Sequence, residues 1–276
     1  MFTLVVLASG AGSTLQALLD ELSAGRLPGI EIKAIISDKS DSGALEKARA
    51  HGISAIFLDP KGKTRSEYDA ELAKTIGEVD LICLAGYLRI LGNEFVDQYP
   101  EKILNVHPSL LPKFGGKGFY GMHVHEAVLA AHETESGMTL HLVTEGVDKG
   151  PILIQKKVAI SPEETPESLR EKVLVLEKRW YPEAVRKLQA RKSRYRIEHN
   201  RPDCIGCTAC ASIAPKFWEM SDLDGKSDII GGTLRPDGWE EMEFAGDELE
   251  LNKDAAEACP VNVIHLVNIN TGETLI

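Results

Sequence analysis

Residues 2–19 of the chain read FTLVVLASGAGSTLQALL and contain an apolar run, a glycine-rich turn and a segment with helical spacing. The apolar run shows no polar alternation, which is typical of a strand buried on both faces of a sheet. Leu15, Leu18 and Leu19 then follow the three- and four-residue spacing of a helix with one apolar face. Strand, turn and helix in this order predict the start of a βαβ series.

Three further apolar runs continue the series, with helical patterns between the runs. The runs are IEIKAIIS (30–37), SAIFL (54–58) and DLICLAG (80–86). The helical patterns are STLQALLDELSAG (13–25), SGALEKARAHG (42–52) and RSEYDAELAKTIGE (65–78). The first two of these close on glycine, as many helices do. The alternation predicts an α/β fold with a Rossmann-like, mostly parallel sheet.

Later segments complete the first domain. GMTLHLVT (137–144) and ILIQKKVAI (152–160) flank the turn GVDKG, which predicts a pair of strands. A long amphipathic helix follows and is started by Thr165 and Pro166, because proline suits the first turn of a helix. A basic stretch ends this helix and leads into a cysteine-rich region. We therefore predict two domains, residues 1–192 and residues 193–276.

The chain has 276 residues and a net charge of −11, and most of this charge lies in the second domain. Residues 193–276 contain 7 Lys and Arg against 16 Asp and Glu, a net charge of −9. Such a balance argues against nucleic acid as a partner, because phosphate binding requires a basic face. The acidic region either favours solubility or steers a basic protein partner, such as a redox protein, toward this domain.

The sequence also predicts where the chain works. The opening apolar run has no basic flank, so it is not typical of a secretory signal. No apolar stretch approaches the roughly 20 residues that span a bilayer. We therefore expect a cytoplasmic protein with no membrane partner. Disulfides are not expected in that reducing compartment, and Cys83, within the apolar run LICLAG, is predicted to be a core residue.

The glycine-rich turn after the first strand has two interpretations. A turn that leads into a helix presents free backbone N–H groups and the positive end of the helix dipole, which together bind phosphate. Alternatively, Gly10 and Gly12 only form a tight turn, with Ser13 as the helix N-cap. The segment matches neither the Walker loop nor the complete dinucleotide-binding motif.

A second set of polar residues lies further along the chain. Asn105 and His107 are separated by one residue, so on a strand their side chains point to the same side. Pro108 then ends regular structure. Asp148 lies in the glycine-flanked turn between the predicted strand pair. An amide, an imidazole and a carboxylate in two loops are also compatible with a structural role.

Four segments together resemble the folate-dependent glycinamide ribonucleotide formyltransferases over residues 1–190. These are SGAGSTLQAL (9–18), LAGYLRIL (84–91), NVHPSLLP (105–112) and GVDKGPILIQ (146–155). The resemblance implies transfer of a formyl group from 10-formyltetrahydrofolate to the amine of glycinamide ribonucleotide. It implies that Asn105 stabilises the oxyanion, that a cationic His107 beside Asp148 assists, and that Asp148 relays protons.

The resemblance also implies binding roles, for which a buried core or a solvated helix face is the alternative. On the substrate side it implies Gly12, Ser13, Thr14 and Glu177. For folate it implies Arg65, Leu88, Arg89, Ile90, Leu91, Thr144 and Val147. Thr14 stands where the family usually has asparagine. A hydrolase relative that releases formate lacks the Gly-Ser turn, so the turn in this chain favours a phosphorylated ribose substrate.

His123 and His125 lie in the longer segment FGGKGFYGMHVHEAV near the implied site. Two alternating histidines are possible metal ligands. Because no third ligand is near them in the sequence, we interpret them as loop residues.

The cysteine region resembles a bacterial-type ferredoxin. Its motif DCIGCTACASIAP carries Cys204, Cys207 and Cys210, and Cys259 follows far downstream before Pro260. The resemblance implies that these four hold one [4Fe–4S] cluster. A structural zinc site is the alternative, although zinc sites usually pair two C-x-x-C units. The positions of a second ligand set hold Ala214, Leu249, Asn252 and Ala255, so a single cluster is expected.

Two kinds of function follow from this combination. In the first, the chain is a formyltransferase whose cluster regulates, senses or transfers electrons. A variant of the first hydrolyses the donor or formylates another amine under redox control. In the second, the chain is an electron-transfer protein that uses the formyltransferase domain as a docking platform. Intact Asn105, His107 and Asp148 favour the first.

Overall fold

The apolar run that opens the chain lies at the centre of a seven-stranded sheet in the computed structural model, which describes residues 1–276. The strands of this sheet are β1 (Phe2–Leu7), β2 (Ile30–Ser37), β3 (Ser54–Phe57), β4 (Leu81–Leu84), β5 (Ile103–His107), β6 (Glu135–Leu142) and β7 (Ile152–Ala159). The associated helices are α1 (Ser13–Ser23), α2 (Gly43–Ala50), α3 (Arg65–Ile76), α4 (Asn93–Gln98), α5 (Met122–Ala130) and α6 (Pro166–Lys192).

The strand order is β3-β2-β1-β4-β5-β6-β7. Strands β1 to β5 pair in parallel, whereas β6 and β7 are antiparallel additions at one side. The mostly parallel sheet and the predicted strand pair are therefore confirmed. Leu4, Val6 and Leu7 of β1 are fully buried, and each such side chain stabilises the fold by about 1.5–3 kcal/mol relative to an exposed one.

The helix ends follow the sequence in most places. Gly25 and Gly52, which follow α1 and α2, have the positive φ angles (70° and 68°) of left-handed C-terminal glycines. The Thr165 hydroxyl accepts a hydrogen bond from the Ser168 amide at the start of α6. The expected N-cap at Ser13 is wrong. Gly12 occupies that position with a φ of 70°, and Ser13 is the first helical residue.

The C-terminal part of the chain forms a separate small α+β unit. Its elements are β8 (Arg194–His199), α7 (Ala209–Ile213), β9 (Trp218–Met220), β10 (Ser227–Ile229), β11 (Thr233–Leu234), β12 (Glu240–Ala245), α8 (Leu249–Glu257) and β13 (Ile264–Asn268). A four-stranded antiparallel sheet has the order β11-β12-β8-β13, and β9 pairs with β10. The core of this unit includes Phe217, Trp218 and Phe244 together with Cys210 and Cys259.

Contacts divide the chain into Met1–Val185 and Arg186–Ile276. The last residues of α6 belong to the second unit, where Arg191 Nε lies 2.7 Å from Asp247 Oδ2 and the Gly246 amide donates to Ser193. The domain boundary at residue 192 stays a prediction.

None of the helices combines the length and the apolar character required to cross a membrane.

Gly137 of β6 lies close to the backbone of β7. A Cβ at this position would clash with the carbonyl oxygen of Lys156 and lie 2.7 Å from Leu110 Cδ2. We expect Gly137→Ala to lower the free energy of unfolding by about 2 kcal/mol, because the two backbones must separate. Urea unfolding checks this value. Gly10→Ala, whose Cβ would meet nothing within 4 Å, is the matched control, and an equal loss in both variants would contradict the prediction.

Candidate active site and cysteine pocket

The candidate active site lies where parallel strands end. The carboxyl ends of β1, β4 and β5 share one edge of the sheet, where α/β proteins commonly bind ligands. The glycine-rich turn follows β1, the segment 85–92 follows β4, and His107 ends β5. The chain order of the motifs therefore places three of the four segments singled out in the sequence at one edge.

Pairing of β5 with β6 brings a second histidine to Asn105. The two strands are antiparallel, and Asn105 lies directly opposite His141. Asn105 Nδ2 is 3.1 Å from His141 Nε2, and His141 Nδ1 is 3.1 Å from the carbonyl oxygen of Leu142. Because a carbonyl only accepts, Nδ1 of His141 carries a proton, and Nε2 faces the amide of Asn105. His141 thus determines which way the amide of Asn105 faces.

Asp148 reaches the same place from the loop between β6 and β7. Its backbone is left-handed, with a φ of 58°. Gly150 allows the loop to pass close to β6, since a Cβ there would clash with the Leu142 carbonyl oxygen. Asp148 Oδ1 lies 3.6 Å from His141 Nε2, and Oδ2 accepts a hydrogen bond of 2.9 Å from the Gly116 amide. Asn105, His107, His141 and Asp148 therefore form one cluster, the polar quartet.

His107 is the most enclosed of the predicted catalytic residues. Its Nε2 lies 2.7 Å from the Phe114 carbonyl oxygen and therefore donates, while Nδ1 lies 3.4 Å from Asp148 Oδ2. Burial is the largest influence and lowers the pKa of His107, although Asp148 and Phe114 oppose it. The cationic form of His107 that the resemblance implies stays a prediction.

Asp148 keeps its charge in the same surroundings. Burial opposes ionisation of the carboxyl, but the imidazoles of His141 and His107 and the Gly116 amide outweigh it and lower the pKa of Asp148. The site therefore holds a carboxylate beside an imidazole. Such a pair can accept a proton and stabilise the charge that results.

The glycine-rich turn meets the long helix α6 through Thr14 and Glu177. Gly12 cannot be replaced without strain, because its φ is 70° and a Cβ would lie 3.1 Å from Ala44 Cα. Thr14 is buried, and its hydroxyl donates to Glu177 Oε2 at 3.3 Å. Burial raises the pKa of Glu177 to about 7, while Thr14 and Arg170 partly oppose this shift. Two residues implied for the substrate side are therefore in direct contact.

In the second unit, all four cysteines of the motif line one pocket. Cys204 is half-buried, Cys207 is exposed, Cys210 and Cys259 are buried, and all four are free thiols. His199 and Ser227 line the same pocket. Four thiols are the donor set that a [4Fe–4S] cluster takes, and the buried Nε2 of His199, which has no hydrogen-bond partner, lies beside them. Nowhere in the chain do three or more His, Cys, Asp or Glu side chains converge on a single metal ion.

Comparison with known protein families identifies the family of the first unit. Residues 2–185, two thirds of the chain, match the family model described as formyl transferase. The chain belongs to the formyl transferase family. The resemblance predicted from the four sequence segments is thereby confirmed. Residues 197–266 match a second model, a 4Fe-4S single cluster domain.

Several relatives share this first unit. Phosphoribosylglycinamide formyltransferase of Escherichia coli (strain K12) is 37% identical over 182 residues, which cover 65% of this chain and 83% of that protein. The chloroplastic enzyme of Arabidopsis thaliana is 40% identical over 188 residues, or 66% of this chain and 63% of that protein. The chain thus spans less than two thirds of the length of the plant relative.

Solved structures show the same similarity to this chain. The crystal structure of glycinamide ribonucleotide transformylase 1 from Symbiobacterium toebii has a TM-score of 0.65 and 40% sequence identity. The match covers 69% of this chain and 89% of that one. The match therefore leaves about a third of this chain uncovered, as expected if the solved structure lacks a cysteine-rich unit.

The residues implied for folate lie in three places on the formyl transferase unit. Arg89 stacks over Tyr68, with its guanidinium carbon 4.3 Å from the ring centre. Leu88 and Ile90 are exposed, while Leu91 packs on the core. Arg65 is the first residue of α3 and is exposed, and Thr144 and Val147 are half-buried in the loop that carries Asp148.

Asp69 connects two of these places. Its Oδ2 accepts a hydrogen bond of 2.7 Å from the Gly92 amide, which ties α3 to the segment after β4. Burial raises the pKa of Asp69, and Arg65 and Arg89 are both near enough to lower it in part. Both arginines thus lie near one carboxylate, and their binding roles stay predictions.

His123 and His125 do not act together. Both lie in α5 rather than in a loop, so that interpretation is wrong. His123 is exposed and pairs with Glu126, 3.2 Å away. His125 is buried, which lowers its pKa to about 4, with smaller contributions from Arg170 and His107. Helical geometry separates the two rings, because residues two apart on a helix point in different directions.

His141 and His199 are the two residues that the sequence interpretation missed. His141 stands in the predicted strand GMTLHLVT, where a histidine amid apolar residues is a weak signal. His199 precedes the cysteine motif by five positions and carries no motif of its own. Only strand pairing places either one against a functional group.

We expect Glu177→Gln to stabilise the protein at pH 8 but not at pH 5. A carboxyl whose pKa rises on folding loses stability as pH increases toward that raised value, and glutamine cannot ionise. The difference between the two pH values should be about 2 kcal/mol. Thermal unfolding of both variants checks it, with Glu171→Gln, an exposed glutamate of the same helix, as control. Equal effects of Glu177→Gln at both pH values would refute the raised pKa.

Proposed function

We propose that the formyl transferase unit moves a formyl group from 10-formyltetrahydrofolate to the amine of glycinamide ribonucleotide. The observation that carries this proposal is the polar quartet, in which an amide, two imidazoles and a carboxylate meet at the edge of the sheet. Relatives that carry the name phosphoribosylglycinamide formyltransferase support the choice of substrates.

Asn105 provides the oxyanion donor in this proposal. The amine nitrogen attacks the formyl carbon, a C–N bond forms, and the formyl oxygen becomes negatively charged. One Nδ2–H of Asn105 is directed to His141, which leaves the second free for that oxygen. A single donor of this kind commonly contributes about 3 kcal/mol to the transition state.

Asp148 transfers protons in this proposal, and His107 stabilises charge. After attack, the amine nitrogen is cationic, and the Asp148 carboxylate accepts the proton it must lose. The tetrahedral carbon then releases the folate N10, and the proton held by Asp148 passes to N10 as the carbonyl re-forms. In its protonated form, with Nδ1 3.4 Å from Asp148 Oδ2, His107 stabilises the negative charge on the substrate oxygen.

The glycine-rich turn and Glu177 form the proposed substrate side. The N-terminus of α1 offers backbone N–H groups to a phosphate, with Gly12, Ser13 and Thr14 at the turn. Glu177 accepts hydrogen bonds from ribose hydroxyls in this scheme. The folate side comprises the segment 88–91, Arg65, and the loop with Thr144 and Val147. Both proposed substrates are small molecules, one for each side of the site.

Hydrolysis of the donor, or formylation of another amine, is the second candidate. The same quartet would activate water in place of the amine. The intact glycine-rich turn favours a phosphorylated acceptor, so we rank transfer to glycinamide ribonucleotide first. Formate release without acceptor distinguishes the two reactions.

We further propose that Cys204, Cys207, Cys210 and Cys259 hold one [4Fe–4S] cluster. The match of residues 197–266 to a single-cluster family and the shared pocket support this assignment over zinc. When bound, such a cluster accepts or releases one electron. Cys204 is suited to ligation, since hydrogen bonds from Ser227 and backbone amides outweigh its burial and lower its pKa to about 7.

For the cluster we propose a regulatory, sensing or electron-transfer role. No step of formyl transfer changes the number of electrons, so the cluster acts on the enzyme rather than in the reaction. A basic redox protein is the proposed partner, since the second domain carries a net charge of −9. We also propose that the protein works in the cytoplasm, whereas one relative is described as chloroplastic.

We expect Asp148→Asn to reduce kcat for formyl transfer by about 10²–10⁴-fold, because asparagine cannot accept the proton. Asparagine tolerates the left-handed backbone of Asp148, so the loop should keep its shape. The measurement is formation of formylated glycinamide ribonucleotide from 10-formyltetrahydrofolate by the full chain, with the cluster oxidised and reduced.

Asp97→Asn, an exposed aspartate of α4, is the matched control and should leave the rate unchanged. Absence of any transfer by wild-type protein with its metal centre intact would refute the substrate assignment. Formate production in the same samples would then support the hydrolase.

Cys207→Ala should abolish the visible absorbance of the cluster, because removing one thiolate leaves one iron without its ligand. Iron and acid-labile sulfide, measured together with absorbance, should fall in parallel. Cys83→Ala, in the core of the other unit, should retain both. Zinc without sulfide in the wild-type chain would contradict the cluster assignment.

A further inference from the structure

A fully buried histidine faces the cysteine pocket. His199 lies on the central strand pair of the small sheet, is 0% exposed, and lines the pocket together with the four cysteines. Its Nε2 has no hydrogen-bond partner. A buried ring nitrogen without a partner costs about 1–3 kcal/mol, so a group that satisfies Nε2 is expected in this pocket.

The other side of the imidazole is firmly held. His199 Nδ1 lies 3.0 Å from Glu240 Oε2, and the same oxygen accepts a hydrogen bond from the Ile229 amide at 3.2 Å. Glu240 is directly opposite His199 in the pairing of β12 with β8. The ring of Trp218 packs edge-on against the imidazole, with 5.1 Å between ring centres. The ring therefore cannot turn its free nitrogen away from the pocket.

The sulfur of Cys204 lies on the pocket side. Ser227 Oγ is 3.4 Å from Cys204 Sγ, and the imidazole of His199 lies within reach of the same sulfur. His199 thus lies between two acceptors, the Glu240 carboxylate and the sulfur of Cys204. The ring donates to both when each of its nitrogens carries a proton.

We propose that His199 donates its Nε2–H to the sulfur of Cys204 and thereby tunes the reduction potential of the bound cluster, with Glu240 holding the ring. This inference depends on the cluster of the proposed function. His199 is a positioning and tuning residue and not a ligand, because four cysteines already provide one thiolate for each iron. Hydrogen bonds to ligand sulfur stabilise the more negative, reduced cluster and so raise its reduction potential.

The first test measures the midpoint potential of the cluster in the full chain by an EPR-monitored redox titration. His199→Leu removes the donor, so at a fixed potential the ratio of reduced to oxidised cluster should fall about tenfold. For a one-electron couple this is a shift of about 59 mV toward more negative potential. His199→Gln keeps an amide donor and should restore part of the shift.

The matched control is His265→Leu. His265 lies on β13 of the same sheet, stacks on Trp239 at 5.6 Å between ring centres, and does not line the pocket. Its removal should leave the potential unchanged. Equal potentials for His199→Leu, His265→Leu and wild type would overturn the proposal.

The second test needs no variant that might misfold. Wild-type protein labelled with ¹⁵N-histidine is reduced and studied by pulsed EPR, in which a hydrogen-bonded imidazole gives a weak nitrogen coupling to the cluster. No coupling would overturn the proposal, and a coupling as large as that of a bound imidazole would overturn it in favour of direct ligation. A wild-type chain without iron and sulfide would instead refute the cluster assignment itself.

Discussion

The antiparallel pairing of β6 with β5 is the contact on which the formyl transferase site depends. Every other strand pair on the β1–β5 side is parallel, so their ends bring loops to one edge but do not place a side chain beside Asn105. The pairing sets His141 opposite Asn105 and starts the loop that returns Asp148 to the same point. Gly150 permits that return, because any side chain there would strike the Leu142 carbonyl. A strand register thus determines the chemistry of the quartet.

The electrostatics of the quartet follow from its burial. Desolvation acts against charge on both His107 and Asp148, but the neighbouring imidazoles and the Gly116 amide lower the pKa of Asp148 in spite of it. A carboxylate beside an imidazole suits a reaction in which a proton leaves the attacking nitrogen and negative charge appears nearby. Burial also acts on Glu177, but here it raises the pKa, because the Thr14 hydroxyl does not compensate for the desolvation of the carboxylate.

Burial and hydrogen bonding also determine the surroundings of the thiols in the second unit. His199 is buried between a carboxylate that fixes its ring and a pocket of thiols. The acidic residues of this unit and the buried His199–Glu240 pair are separate features. In the proposals above, the first act over distance on a basic partner, and the second acts on the cluster directly. Under these proposals the cluster gains or loses an electron without any change in the formyl-transfer chemistry.

Much of the fold could be predicted from local sequence, because buried strands, glycine-terminated helices and the proline-started α6 each carry their own signal. The family segments likewise pointed to Asn105, His107, Asp148 and the cysteines, because motif residues are recognisable by type and spacing. The N-cap at Gly12 was missed because a left-handed glycine, unlike a serine cap, gives no side-chain signal. The helical position of His123 and His125 was missed because the interpretation depended on the absence of a nearby third ligand, which carries no information about secondary structure.

The sequence by itself determined which elements form and which chemical groups the chain carries, since hydrophobic periodicity and motif spacing are local properties. Tertiary structure alone decided the partners of those groups. His141 meets Asn105, Thr14 meets Glu177, and His199 meets Glu240 across 36, 163 and 41 positions respectively. The opposing effects of burial and of Asp148 on the pKa of His107 likewise arise only in the folded chain. Desolvation and strand register arise only when distant segments pack, and no local pattern encodes them.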